Sequence, residues 1–113
     1  MAQLCILLYI KKVLKNVFEQ CYKLDKLKIN KEEMHNPYKH VVIGKKIVLL
    51  DFERANYTKK PHNVTQFIQY VLRNERILDK KGFKVDRNKL IELGKVYKRN
   101  VNKVNFNKII NSL

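Results

Sequence analysis

One carboxylate in this sequence stands where it could carry chemistry. Asp51 follows directly on the aliphatic run Ile47-Val48-Leu49-Leu50. A buried strand ending there delivers an acid to the rim of a sheet, its backbone held still and its oxygens turned toward a metal or polar ligand. The competing reading is structural: Asp is common at strand ends because its side chain hydrogen-bonds the backbone of the turn that follows. On local pattern alone the turn is favoured. Thiol chemistry is not indicated. Cys5 and Cys21 are the only cysteines, with no CxxC pair and no secretory signal, and they read as free, buried thiols of a reducing, cytoplasmic setting.

The elements that would position Asp51 can be read from apolar spacing. Leu4, Leu7, Leu8, Leu14, Val17, Phe18, Cys21 and Leu24 fall on one helical face, with Lys11, Lys12, Lys15, Glu19 and Lys23 between them. That spacing predicts a helix running to about Leu27 with a basic outer face. Ile29 to His40 mixes charges with His35, Asn36 and Pro37 and reads as an ordered loop, because proline disfavours helix for the residue before it. Val41–Ile43 and Ile47–Leu50, separated by Gly44-Lys45-Lys46, carry the signature of a hairpin. A polar stretch through Pro61 follows. Asn63 then offers an N-cap, with Gln66 at the position that reaches back to it. Val64, Phe67, Ile68, Val71 and Leu72 supply the stripe of that helix, and Gly82 its stop. Asp86 is an N-cap for a helix bearing Leu90, Ile91, Leu93 and Tyr97, in which Gly94 is an unfavourable choice. Phe106, Ile109, Ile110 and Leu113 repeat the helical spacing. The expected fold is one domain over residues 1–113, mainly α with one small β-hairpin.

Charge is the outlier of the composition. Twenty-five Lys and Arg against 10 Asp and Glu give a net charge of +15, while 45% hydrophobic residues are enough for a packed core. Such a field draws a protein toward nucleic acid, nucleotides or acidic lipid without identifying any of them. The excess of 20 Lys over 5 Arg, with 12 Asn, is also what an A/T-rich genome produces without selection for binding. The apolar start, Met1 to Ile10, is interrupted by Lys11 and Lys12 well short of a bilayer span, so no membrane partner is expected.

Four stretches occur in order: His35-Asn36-Pro37-Tyr38-Lys39-His40, the hairpin, Asp51-Phe52-Glu53-Arg54-Ala55, and Lys60-Pro61-His62-Asn63-Val64. Together, from about Ile29 to Leu72, they resemble the catalytic-loop and metal-loop region of an archaeal group of predicted serine/threonine protein kinases, distant members of the protein-kinase-like superfamily. The resemblance implies a kinase-like C-lobe in which Asp51-Phe52 matches the first two positions of Asp-Phe-Gly and Asp51 holds Mg²⁺ against the phosphates of ATP. Glu53 stands where glycine is usual. The His-Arg-Asp pattern is absent; Glu32 and Glu33 are the nearest acids, and Glu33, the candidate catalytic residue, aligns as a base only with an insertion. Lys39 or His40 falls near the place of an Asn that holds a second metal, which makes both candidates for nucleotide contact. A lone His beside a strand is more often a structural hydrogen-bonding residue.

No glycine-rich loop or strand lysine precedes Ile29. The resemblance therefore implies a C-lobe inactive alone, an enzyme remnant or half of an enzyme, completed by a separate N-lobe chain or by self-association. Part of the Leu4 to Leu24 helix or of the hairpin should then be left uncovered. The alternative is a small basic nucleic-acid-binding protein using the C-terminal helices, where Lys81 to Leu113 holds nine Lys or Arg and two acids. Its binding would be weak, nonspecific and salt-sensitive. No RRM, KH or zinc-finger pattern is present, and the dispersed aromatics suggest no platform for stacking bases.

Overall fold

Helical periodicity decides most of the architecture. In the computed structural model, residues 2–32, 34, 41–43, 47–49 and 55–113 are described, without the side chains of 2–5, 41–43 and 47–49. The fold is mainly α. Among the described residues five helices, α1 (Ala2–Lys26), α2 (Asn63–Arg73), α3 (Glu75–Lys80), α4 (Arg87–Arg99) and α5 (Lys103–Asn111), accompany four short strands: β1 (Ile29–Asn30), β2 (Val41–Ile43), β3 (Ile47–Leu49) and β4 (Asn56–Tyr57). No helix among the described residues is long and apolar enough to cross a membrane.

The predicted stripe of α1 becomes one wall of the core. Leu14, Val17, Phe18, Cys21 and Tyr22 are buried against Val64, Phe67, Ile68 and Val71 of α2, Leu90 and Tyr97 of α4, and Phe106 and Ile109 of α5. Aromatic rings join the layers. Phe18 meets Phe67 edge-on at 4.7 Å between ring centres, and Tyr22 stacks on Phe106 at 4.4 Å. Toward its start α1 leaves Ile6, Leu8 and Tyr9 exposed.

The hairpin forms where expected, antiparallel, with Val41 opposite Leu49 and Ile43 opposite Ile47. β3 packs beside α1. A second ribbon was not anticipated: β1 pairs antiparallel with β4, Ile29 opposite Tyr57 and Asn30 opposite Asn56, so the segment read as loop begins with a strand. The helix expected from Asn63 to Gly82 is also divided. At Asn74 the side-chain amide donates to the Tyr70 carbonyl at 2.9 Å, competing with the helical ladder, and α3 starts anew. Gly82, at φ 90°, then terminates α3. Its N–H donates to the Asp79 carbonyl and that of Phe83 to Leu78, the paired bonds of a Schellman ending that only a left-handed residue permits.

Asp86 caps α4 as its position predicts, its carboxylate accepting from the Lys89 N–H at 3.2 Å. Asn102 does the same for α5, accepting from the Asn105 N–H at 2.8 Å. Gly94 acquires a purpose. A Cβ there would lie 3.1 Å from Cδ1 of Ile68, so the missing side chain is what lets α4 close on α2. Ile68→Val, which removes that methyl, is expected to cost about 1 kcal/mol in the native chain. In a Gly94→Ala background the cost should fall by about half or more, because the deleted methyl is the one that obstructs the new Cβ. Urea denaturation of the four-member cycle checks this, and strict additivity would refute the steric account.

Candidate functional site

Glu33, Lys39, His40 and Asp51, the residues singled out from the sequence, lie outside the described residues, as does Phe52. Among the described residues, the densest hydrogen-bond network centres on a carboxylate that sequence reading passed over. Asp25, in the last turn of α1, is fully buried, and its oxygens collect donors from two other helices. Oδ1 accepts from the Asn63 N–H at 3.0 Å and from the Asn63 side-chain amide at 2.9 Å. Oδ2 accepts from the Tyr97 hydroxyl at 2.6 Å and the Val64 N–H at 3.4 Å.

This arrangement corrects the expected capping box. Asn63 is the first residue of α2 rather than its cap; His62 stands at the cap position and makes no side-chain cap bond. The orphan amides of the first turn are taken up by Asp25, an anion from another helix placed at the positive end of the α2 dipole. Asn63 is thereby released to hold the loop. Its Oδ1 accepts from the Lys31 N–H at 2.8 Å and its amide donates to the Ile29 carbonyl at 2.7 Å. Gln66, expected to reach back to the cap, instead accepts from the Met34 N–H at 3.1 Å.

Around this node Lys28, Ile29, Asn30, Lys31, Glu32 and Met34 are each held by hydrogen bonds. Lys28 and Glu32 both have positive φ, 61° and 65°, a conformation that costs a non-glycine residue roughly 1 kcal/mol. The cost is met by bonds on either side. The Lys28 N–H donates to the Asp25 carbonyl, and the Lys28 carbonyl accepts from the Thr58 N–H at 2.9 Å. Glu32 Oε1 accepts from the side-chain amides of Asn30 at 2.7 Å and Asn56 at 3.1 Å, and Asn30 accepts from the His62 N–H at 3.2 Å. The segment that precedes Glu33 in sequence is thus anchored to α1, the β1–β4 ribbon and the start of α2.

The electrostatics of the node follow from burial. Withdrawal from water raises the Asp25 carboxyl above its ordinary 3.8, and the hydrogen bonds from Tyr97, Asn63 and Val64 draw it only part of the way back. Burial and the adjacent carboxylate push the Tyr97 hydroxyl upward, so it remains a donor. Cys21 is a free, buried thiol, raised by burial and by Asp25, which leaves it unreactive. Among the described residues no group of three or more His, Cys, Asp or Glu is arranged to hold a metal.

A second feature lies on the surface. Between the β1–β4 ribbon, the first turns of α2 and the turn joining α4 to α5 runs a groove of about 820 Å³, lined by Lys28, Lys59, Lys60, His62, Lys98 and Arg99 among others. Lys98 and Arg99 belong to the basic C-terminal segment noticed in the sequence. The other four come from two distant stretches, and no composition count would have joined them.

No protein-family model matches the chain, and no curated protein matches it.

Removing the Asp25 acceptor strands several buried donors at once, so Asp25→Ala is expected to cost about 3 kcal/mol or more in urea denaturation. The pH dependence has a defined sign. With its pKa raised on folding, Asp25 contributes its full stability below 3.8 and loses it as the pH rises through the folded value. The stability gap between the native chain and Asp25→Asn should therefore narrow as the pH is raised from below 3.8. A gap that widens over that range refutes the assignment.

Proposed function

We propose that the chain is a protein-kinase-like C-lobe, half of an Mg-ATP-dependent serine/threonine phosphotransferase, with Asp51 as the metal ligand. The observation that carries this reading is the hairpin register. Val41 faces Leu49, so the segment arriving from His40 and the segment departing toward Asp51 meet the hairpin at the same end. An antiparallel pair of short strands is an economical way to bring a loop and an acid to one place. Its support is α1, which packs against both β3 and α2, while the Asp25 node fixes the entry to the loop.

In this reading Asp51 supplies the hard oxygen that Mg²⁺ requires, Lys39 and His40 are the nucleotide-contacting residues, and Glu33 is the candidate catalytic residue. Bound Mg²⁺ would neutralise charge on the phosphates of ATP. The chain's own contribution in this reading is position: a hydrogen-bonded base to the loop and an acid two residues beyond β3 in sequence. The groups that cover and clamp the nucleotide in such enzymes, a glycine-rich loop and a strand lysine paired to a glutamate, are not found within these 113 residues, so transfer requires a lobe supplied from outside them.

Mn²⁺ takes the same oxygen ligands as Mg²⁺ and broadens nearby amide signals, which makes it a direct probe. On a chain of net charge +15, stray divalent binding is disfavoured, so selective broadening is meaningful. Micromolar Mn²⁺ is expected to broaden the amides of Asp51, Phe52 and their hairpin neighbours first, and Asp51→Asn to abolish the effect without loss of the fold. Broadening that is uniform, or that survives Asp51→Asn, overturns the metal assignment. The purified 113-residue chain is expected to transfer no phosphate from Mg-ATP to itself or to generic acceptors. Robust autophosphorylation, with a mock purification excluding contaminants, would show that no second lobe is needed.

A further inference from the structure

We infer that the groove between the β1–β4 ribbon and the α4–α5 turn is a binding site for single-stranded nucleic acid, with its lysines on the phosphates and Tyr57 as a stacking platform for a base. The inference is independent of the kinase-like reading. It rests on residues that reading does not use.

Three observations carry it. The first is charge of one sign: Lys28, Lys59, Lys60, Lys98 and Arg99 line the groove, and no carboxylate does. Among the described residues none of these five has an ion-pair partner. Five cations drawn from three separate stretches converge on one channel, where their mutual repulsion is relieved by a polyanion threading between them. The second is the backbone of Lys28. A left-handed residue is cheapest as glycine, yet this position carries a lysine at φ 61°, whose side chain lines the groove.

The third decides the class of polyanion. Tyr57 is 83% exposed and lies in an adjoining hollow of about 540 Å³ that shares Lys28 and Lys59 with the groove. A basic track continuous with a solvent-facing aromatic ring is the arrangement that holds unpaired strands, since every base has a face to stack. Duplex bases are already stacked on one another and have no use for the ring. The Asn63 and Val64 amides at the α2 N-terminus are not available to the ligand, being committed to Asp25.

The test is fluorescence anisotropy with a labelled twelve-nucleotide oligouridylate and the full chain, with folding of each variant checked by circular dichroism. Binding should weaken with salt at a slope of about −3 in log–log form, from about four phosphates neutralised. Lys59→Glu with Lys60→Glu should weaken it at least tenfold. The charge-matched control Lys80→Glu with Lys81→Glu, exposed residues outside the groove, should weaken it no more than about twofold. Tyr57→Ala should lose roughly tenfold and Tyr57→Phe should restore it, stacking being worth about 1–3 kcal/mol per base. Equal losses from the two lysine pairs reduce the binding to net charge and overturn the site. An unchanged Tyr57→Ala, tighter binding of a duplex of the same length, or equal competition by inorganic polyphosphate overturns the single-stranded assignment.

Discussion

A single buried carboxylate ties this fold together. Asp25 ends one helix, starts a second and is gripped by a hydroxyl from a third, so its two oxygens define where α1, α2 and α4 meet. Burying an anion is unfavourable on its own. It is tolerated here because several donors converge on it and because the first turn of α2 presents its positive dipole end. The arrangement frees Asn63 from capping its own helix, and that release is what lets one side chain hold Lys31 and Ile29 in place. The rigidity of the loop base is thus a consequence of who caps α2.

The two functional readings use different consequences of this frame. The phosphotransferase reading asks only that the segment after the node and the hairpin hold an acid and a nucleotide in register. The basic groove draws on the ribbon that follows α1, the flank of α2 and the end of α4, all fixed by the same carboxylate. Anion attraction is common to both: a chain with this much positive charge concentrates phosphate-bearing molecules at its surface before any specific contact is made. The readings differ in the geometry that follows the encounter.

How much of this was legible depends on distance along the chain. The helices of the core were visible because apolar residues three and four apart report a helical face locally, and the cap of Asp86 acts within three residues of itself; the Asn102 cap of α5 is as local and was not read. Where local and distant partners compete, sequence reading fails. Asn63 followed by Gln66 spells a capping box, but an acid 38 positions away takes the amide instead. The β1–β4 ribbon is two residues per strand, too short for alternation to show. Gly94 read as a weakness and proved to be a packing requirement, since the atom it avoids belongs to another helix. The groove was hidden for the same reason. Its cations were each visible, but only folding brings three stretches together.

The bond from Tyr97 to Asp25 spans 72 residues of sequence, and this has a kinetic meaning. Because that contact closes only after a long loop entropy has been overcome, the carboxylate lacks one of its donors until α4 has docked. With that donor missing, the carboxylate's hold on α2 is weaker in the meantime. Helix α2 should therefore gain its amide protection together with α4 rather than before it, so that α1, α2 and α4 form one cooperative unit of folding. The groove and the loop base, both built on that unit, come into being in the same step.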